Sequence, residues 1–322
     1  MTSRTTDVLL TASAPAIWGS TYIVTTELLP PNYPLTVALL RALPAGLLLL
    51  LIVRKLPERA WWGRIFVLGA LNFSMLWAML FLAAYRLPGG VAATITSVQP
   101  LLVVFLASAF LGAPVRALSV VAAAVGIGGV ALLVLTPNAA LDAVGIAAAI
   151  AAAVSMAFGT VLSRRWQPPV SALTFTAWQL TAGGLLLLPV ALLLEPPLPA
   201  LTPHNWIGFG WLGLVGAALT YIVWFRGVAR LEPSAIAPLA FLSPVTAVIL
   251  GWALLEQSLS AWQVLGIGIV IASIWLSQRA QRGGQPWQNR AATLPGGIRS
   301  CPSSPSASRA ASSPPRASRR PR

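Results

Sequence analysis

The chain alternates between long apolar runs and short polar breaks. Ten runs occupy 8–28, 35–53, 64–85, 89–111, 117–135, 144–163, 171–193, 206–226, 233–254 and 260–277. Charges or Pro and Gly clusters bound each one. A bilayer core about 30 Å thick needs roughly 20 apolar residues in helix, and every run is close to that length. In hydrocarbon each backbone polar group must be satisfied internally, so such runs are expected to be helices.

Composition supports lipid as the solvent. Of the 322 residues, 57% are hydrophobic and 9% are charged, against about 25% charged in soluble domains. A water-facing shell cannot be built from so few polar groups. Near the N-terminus, Arg4 followed by an apolar stretch and Ala12-Ser13-Ala14 resembles a signal peptide. Asp7 interrupts the charged region, and the apolar run continues past that point, so the segment is read as the first span.

Charge orients the spans. With the N-terminus placed in the cytoplasm, the segments on that side carry 19 basic residues, nine of them in the tail, and the opposite side carries only Arg86. Arg41 lies inside a span. This positive-inside asymmetry fits an even number of spans with both termini cytoplasmic, in a cell inner membrane. Net charge is +14, but the tail accounts for most of it and the body has no dense basic face. No nucleic-acid partner is expected.

The second half of the chain repeats the first. Leu35-Thr36, Arg41 and Gly46-Leu47-Leu48-Leu49-Leu50 match Leu173-Thr174, Gln179 and Gly184-Leu185-Leu186-Leu187-Leu188. Trp62 and Leu68-Gly69 match Trp206 and Leu212-Gly213; Arg86-Leu87 and Pro100 match Arg230-Leu231 and Pro244. Five spans per copy is an odd number, so the second copy would enter the membrane upside down. The expected fold is an all-α polytopic membrane protein of ten transmembrane helices in two inverted five-helix repeats, 1–135 and 136–278. Such inversion is characteristic of secondary transporters, whose sites lie near the midplane.

The residues resemble the EamA family of the drug/metabolite transporter superfamily. The resemblance rests on Trp18-Gly19-Ser20, Arg41, Ala92-Ala93 with Pro100, Gln179, Ala235 with Leu242-Ser243-Pro244-Val245, and Leu254-Leu255-Glu256 with Gly266. It covers about residues 8–278 and implies alternating-access export of a small polar metabolite, such as an amino acid or related solute. The first half departs from the pattern after the fourth span, where Leu111-Gly112-Ala113-Pro114 stands in place of the expected acid.

Several residues are candidates for contact with the solute. Arg41 lies about two turns into its helix, roughly 10 Å deep. At that depth an arginine costs at least about 2.5 kcal/mol unless partnered or wetted. It is either a counter-ion for a carboxylate or phosphate, or a side chain that snorkels outward to Glu27. Pro100 and Pro244 sit mid-span at equivalent positions. Each removes a backbone donor, expected to free the carbonyls of Thr96 and Ala240 beside Thr96, Ser97, Gln99 and Ser243. The alternative is a kink that only improves packing. Gln179, partner of Arg41 in the repeat, offers donors and an acceptor without charge, for solute or for a neighbouring helix. Trp18, Trp77, Trp178, Tyr221 and Trp224 are candidate cavity walls. Glu256 is read as a capping residue rather than a proton carrier.

Residues 279–322, rich in Ser, Pro and Arg, are expected to be a disordered cytoplasmic tail. The one histidine, His204, lies in a loop, and the one cysteine, Cys301, in the tail, so neither a metal centre nor a cofactor is expected. The expected partners are a small-molecule solute and the lipid bilayer, with a homodimer left open. The competing readings are a membrane enzyme acting on lipid and a non-transporting sensor or assembly component.

Overall fold

A computed structural model describes residues 3–87, 89–134, 142–256 and 258–280. The expected tail falls outside them, apart from its first two residues. Among the described residues ten helices are long and apolar enough to cross a membrane: α1 Arg4–Leu28, α2 Pro34–Val53, α3 Arg59–Ala83, α4 Ala92–Leu111, α5 Ala117–Val134, α6 Ala143–Arg165, α7 Ala172–Leu194, α8 Pro203–Arg230, α9 Pro233–Leu254 and α10 Ala261–Ala280. Each overlaps one apolar run of the sequence. The largest differences are at α3 and α8, which begin earlier than the runs do, and α8 also ends later, at Arg230 rather than 226. At α8 the start is fixed by a capping box, in which Thr202 and Asn205 bond each other's backbone N–H and satisfy helix donors that Trp206 cannot. Positions facing away from the bundle remain apolar, as at Leu193, which is 83% exposed. That is the surface hydrocarbon requires.

The packing pairs helices of one half with helices of the other. α2 lies along α7, and α5 along α10. Contacts of α3 with α6 and α7 are matched by contacts of α8 with α1 and α2; those of α4 with α6 are matched by α9 with α1. The α2–α7 contact is antiparallel. A Cβ built at Gly46 would lie 2.5 Å from the Thr181 amide nitrogen, and one at Gly184 would lie 2.7 Å from the Leu43 Cα. Residue number rises on one helix as it falls on the other. Only glycine allows backbones so near, a close-approach device common between membrane helices.

Among the described residues five of the helices are irregular: α1 is interrupted at Gly19, and the other four form matched pairs. α3 contains a π-helical segment at Ala70–Ser74, and α8 one at Trp211–Leu219. α4 breaks at Ser97–Val98 just before Pro100, and α9 tightens into 3-10 helix at Ala237–Phe241 before Pro244. A proline that cannot donate forces a local change of pattern upstream. The carbonyl expected to be free at Ala240 is instead approached by the Leu242 N–H, because the tightened turn redistributes its bonds. α4 ends at Gly112 and α9 is followed by Glu256, both left-handed, at φ of 65° and 54°. Gly112 thus stands in place of the expected acid at a left-handed helix terminator, a conformation that glycine fills without strain.

Candidate functional site

The bundle interior holds two clusters of polar side chains. The first gathers around Arg41 on α2. Its guanidinium Nη2 donates to the Gly216 carbonyl at 2.8 Å, and its Cζ lies 4.8 Å from the Trp77 ring centroid. Gly216 lies in the π-helical segment of α8, and its carbonyl also accepts from Thr220 Oγ1 at 2.9 Å. Thr220 Oγ1 in turn accepts from Trp18 Nε1 at 2.9 Å. Trp18 packs against Tyr221 and Trp224, with centroids 4.9 and 5.2 Å apart. Arg41 is 8% exposed, and its Nε has no partner.

This arrangement corrects one reading of Arg41. It does not snorkel outward to Glu27. The side chain turns into the bundle, where a backbone carbonyl and the face of Trp77 receive it. A cation this deep is stabilised by acceptors and by the ring quadrupole, but no carboxylate within the described residues forms an ion pair with it.

The second cluster gathers around Asn72, in the π-helical segment of α3. Its Nδ2 donates to Gln179 Oε1 on α7 at 2.8 Å and to Ser163 Oγ on α6 at 3.1 Å. Gly159 makes room for it, since a Cβ at that position would fall on the Asn72 amide. Gln179 is fully buried, with its Nε2 unpartnered. A buried amide donor without a partner is uncommon in a native interior. Phe73, the next residue after Asn72, joins the two clusters. Its ring lies 4.7 Å from that of Tyr221 and 5.4 Å from that of Trp77.

The structure therefore brings together Trp18, Arg41 and Tyr221, and places Gln179 beside them across Phe73. The remaining candidates lie apart. Trp178 donates through Nε1 to the Lys55 carbonyl at 2.6 Å, at the end of the bundle that carries Arg54. Thr96 Oγ1 and Ser97 Oγ fold back onto the Ala92 and Ala93 carbonyls of α4 at 2.7 to 3.0 Å. Pro100 is buried beside Gln99, whose amide has neither polar atom partnered. Ser243 and Pro244 are half-buried on α9, with the Ser243 carbonyl directly against Gly19 of α1.

Asn72 is the residue that sequence reasoning missed. Its one signal was an amide inside an otherwise apolar run. Arg41, Asn72, Gln179 and Tyr221 are all buried, which shields both clusters from water. A cleft at the arginine-rich end is lined by Ser163, Gln167, Val170, Val228 and the ring pair Phe175 and Phe225, whose centroids are 5.5 Å apart.

The ends of the bundle are tied by ion pairs. Asp7 of α1 bridges Arg226 and Arg230 of α8 at 2.9 and 3.2 Å. At the other end Arg86, just past α3, reaches Asp142, the residue before α6, at 3.8 Å. These are the same helix pairing in the two halves. At the same end as Arg86, Glu195 accepts from the Leu35 and Thr36 N–H groups, both at 2.7 Å, where a carboxylate complements the N-terminus of α2.

The EamA-like transporter family model matches residues 5–135 and again 143–278. Protein PecM of Dickeya dadantii is 45% identical over 267 residues, covering 82% of this chain and 90% of that protein. An uncharacterized inner membrane transporter of Escherichia coli, YedA, is 29% identical over 266 residues, covering 81% of this chain and 86% of that protein. A crystal structure at 20% identity superposes with a TM-score of 0.76, covering 87% of this chain and 99% of the other. At that identity the likeness concerns the fold.

Proposed function

The chain belongs to the EamA-like transporter family, and from that premise we propose that it exports a small polar metabolite bearing an anionic group, an amino acid or related solute, across the inner membrane. Arg41 carries this reading. It is a buried cation inside a span, with no carboxylate among the described residues paired to it and one guanidinium nitrogen unpartnered. Burying such a charge is costly, and a solute carboxylate or phosphate reaching it would offset that cost by a charge-assisted hydrogen bond. Trp18, Trp77 and Tyr221 give the apolar walls; Gln179 and Gln99 offer neutral amides. Thr96, Ser97 and Pro100 with Ser243 and Pro244 belong to the helix breaks that let α4 and α9 bend.

The mechanism we propose is alternating access between two halves of opposite insertion. The antiparallel crossing of equivalent helices α2 and α7 supports this, as does the antiparallel crossing of α5 and α10, where Gly129 meets Val270 and Gly266 meets Leu133. The excess of basic residues at one end favours both termini in the cytoplasm. The structure would then be a state closed to both sides.

The test is efflux from bacteria expressing the chain, loaded with a panel of amino acids, organic anions and organic cations. Export of anion-bearing solutes by the native chain, lost in Arg41→Gln, is the expected result. Equal loss of cation and anion export in Arg41→Gln would sink the counter-ion role. Absence of export across the panel would sink the solute class.

A further inference from the structure

The two interior clusters are one motif built twice. Arg41 precedes Gly46 by the same step as Gln179 precedes Gly184, and Asn72 follows Gly69 by the same step as Gly216 follows Gly213. So the bond from Arg41 to Gly216 and the bond between Gln179 and Asn72 join equivalent positions, both at 2.8 Å. Each ends in a π-helical segment, Trp211–Leu219 or Ala70–Ser74, a backbone irregularity that often marks functional positions. Each also ties three helices: α2, α8 and α1 through Thr220 and Trp18, and α7, α3 and α6 through Ser163.

The two differ in depth and in charge. Arg41 and Gln179 each lie about two turns, or roughly 10 Å, into their helices. Because α2 and α7 are antiparallel, the two residues lie about 10 Å apart along the bundle, each nearer the opposite end. The Arg41 junction is ionic on one side. The Asn72 junction is neutral throughout, and its Ser163 lines the cleft at the arginine-rich end.

We propose, resting on the transporter reading above, that these junctions are alternating latches. Asn72 is the positioning residue of the latch at the arginine-rich end, and the Arg41–Gly216 bond is the latch at the opposite end. Opening either end requires its three helices to part, so its latch must break while the other holds. The latches respond unequally to solute. An anionic group that takes the Arg41 guanidinium competes with the Gly216 carbonyl, whereas the Asn72–Gln179 amide pair has no charge to surrender. Solute therefore loosens one end selectively.

The experiment uses the full chain in membrane vesicles of known sidedness, with Cys301→Ser to remove the native thiol. Thr176→Cys and Ala38→Cys are the reporters. Ala38 precedes Arg41 by the same step as Thr176 precedes Gln179, so each lies about one turn nearer its own end than the latch residue. Thr176 and Ala38 are buried, at 0% and 1% exposure. Labelling by a membrane-impermeant maleimide is measured without solute. Asn72→Ala should raise labelling at position 176 about five-fold or more from the arginine-rich side and leave position 38 unchanged. Arg41→Met should do the reverse, raising labelling at 38 from the opposite side. Gln179→Leu removes the same latch from its other half and should reproduce the Asn72→Ala pattern if that variant does not fold. A rise at both reporters in one variant marks general loosening and overturns the proposal; so does no change at 176 in both Asn72→Ala and Gln179→Leu. Because no solute is present, the outcome is independent of the efflux panel: either can fail alone.

Discussion

Gln179 accepts a hydrogen bond from Asn72 at 2.8 Å, and that bond is the sole partner found for the Gln179 side chain among the described residues. Removing Asn72 leaves a fully buried amide with neither atom satisfied. In soluble proteins such a loss costs about 1–3 kcal/mol; between membrane helices measured couplings run from about 0.6 to 1.7 kcal/mol. Asn72→Leu and Gln179→Leu are each expected to lower the melting temperature of the detergent-purified chain. The double variant, apolar on both sides, should lose less than the sum of the two, with a coupling near ~1 kcal/mol. Strictly additive losses would mean the pair does not interact.

Charge and geometry separate at Arg41. Lysine keeps the cation but lacks the planar fork that lets one arginine hold the Gly216 carbonyl and present a second N–H to solute. Arg41→Lys is therefore expected to keep the preference for anionic solutes while raising their KM about ten-fold, the equivalent of one lost hydrogen bond to a charged group. Arg41→Gln should abolish the preference itself. Transport assays over a series of solutes of matched size and different charge distinguish the two outcomes. Identical profiles for Lys and Gln would show that charge is not what the site reads.

The span plan was legible because it needs only length and apolarity. Each apolar run overlaps one observed helix, and the repeat matches at Gly46 and Gly184 turned out to mark the place where α2 and α7 meet. Arg41 was visible as a charge in an apolar run, but its direction was not. Whether it snorkels depends on what faces it, and the Gly216 carbonyl that receives it lies in the π-helical segment of α8. Asn72 was hidden for the same reason. Its role depends on Gln179 across the bundle, on the space left by Gly159, and on a π-helical segment that no local pattern announced. Trp178 looked like Trp18 in sequence; a hydrogen bond to the Lys55 carbonyl fixes it at the bundle's end instead.

The α2–α7 crossing allows no side chain at Gly46. A Cβ there would lie 2.5 Å from the Thr181 amide nitrogen and 2.8 Å from the Leu180 carbonyl carbon, and backbone atoms cannot step aside as a flexible side chain would. Gly46→Val is expected to push the helices apart at a cost above the roughly 1–3 kcal/mol of ordinary overpacking, lowering the folded yield sharply. Gly63→Ala and Gly128→Ala, where nothing lies within 4 Å, serve as controls and should fold normally. The readout is the monodisperse fraction on size exclusion after mild solubilisation. Normal yield for Gly46→Val would mean that the crossing is looser than the structure indicates.

Glu256 offers a test of capping against proton carriage. It occupies a left-handed conformation just past the end of α9, at φ 54°, and Gly112 does the same past the end of α4 at φ 65°. The two are equivalent, since Gly112 follows Pro100 by the same step as Glu256 follows Pro244. A non-glycine residue in that conformation is strained by about 1–2 kcal/mol, while glycine returns part of that gain as extra freedom of the unfolded chain. Glu256→Gly should therefore stabilise the protein by at most about 1 kcal/mol and leave transport and its pH dependence intact. Gly112→Ala should destabilise by about 1 kcal/mol, because the first half has nothing to relieve. If the carboxylate instead carried protons, Glu256→Gly would flatten the pH profile of transport whatever it did to stability. Melting curves and transport measured on the same preparations, from about pH 5 to 8, tell the two roles apart. The glycine already present at the equivalent site of the first half shows that this turn closes without a carboxylate.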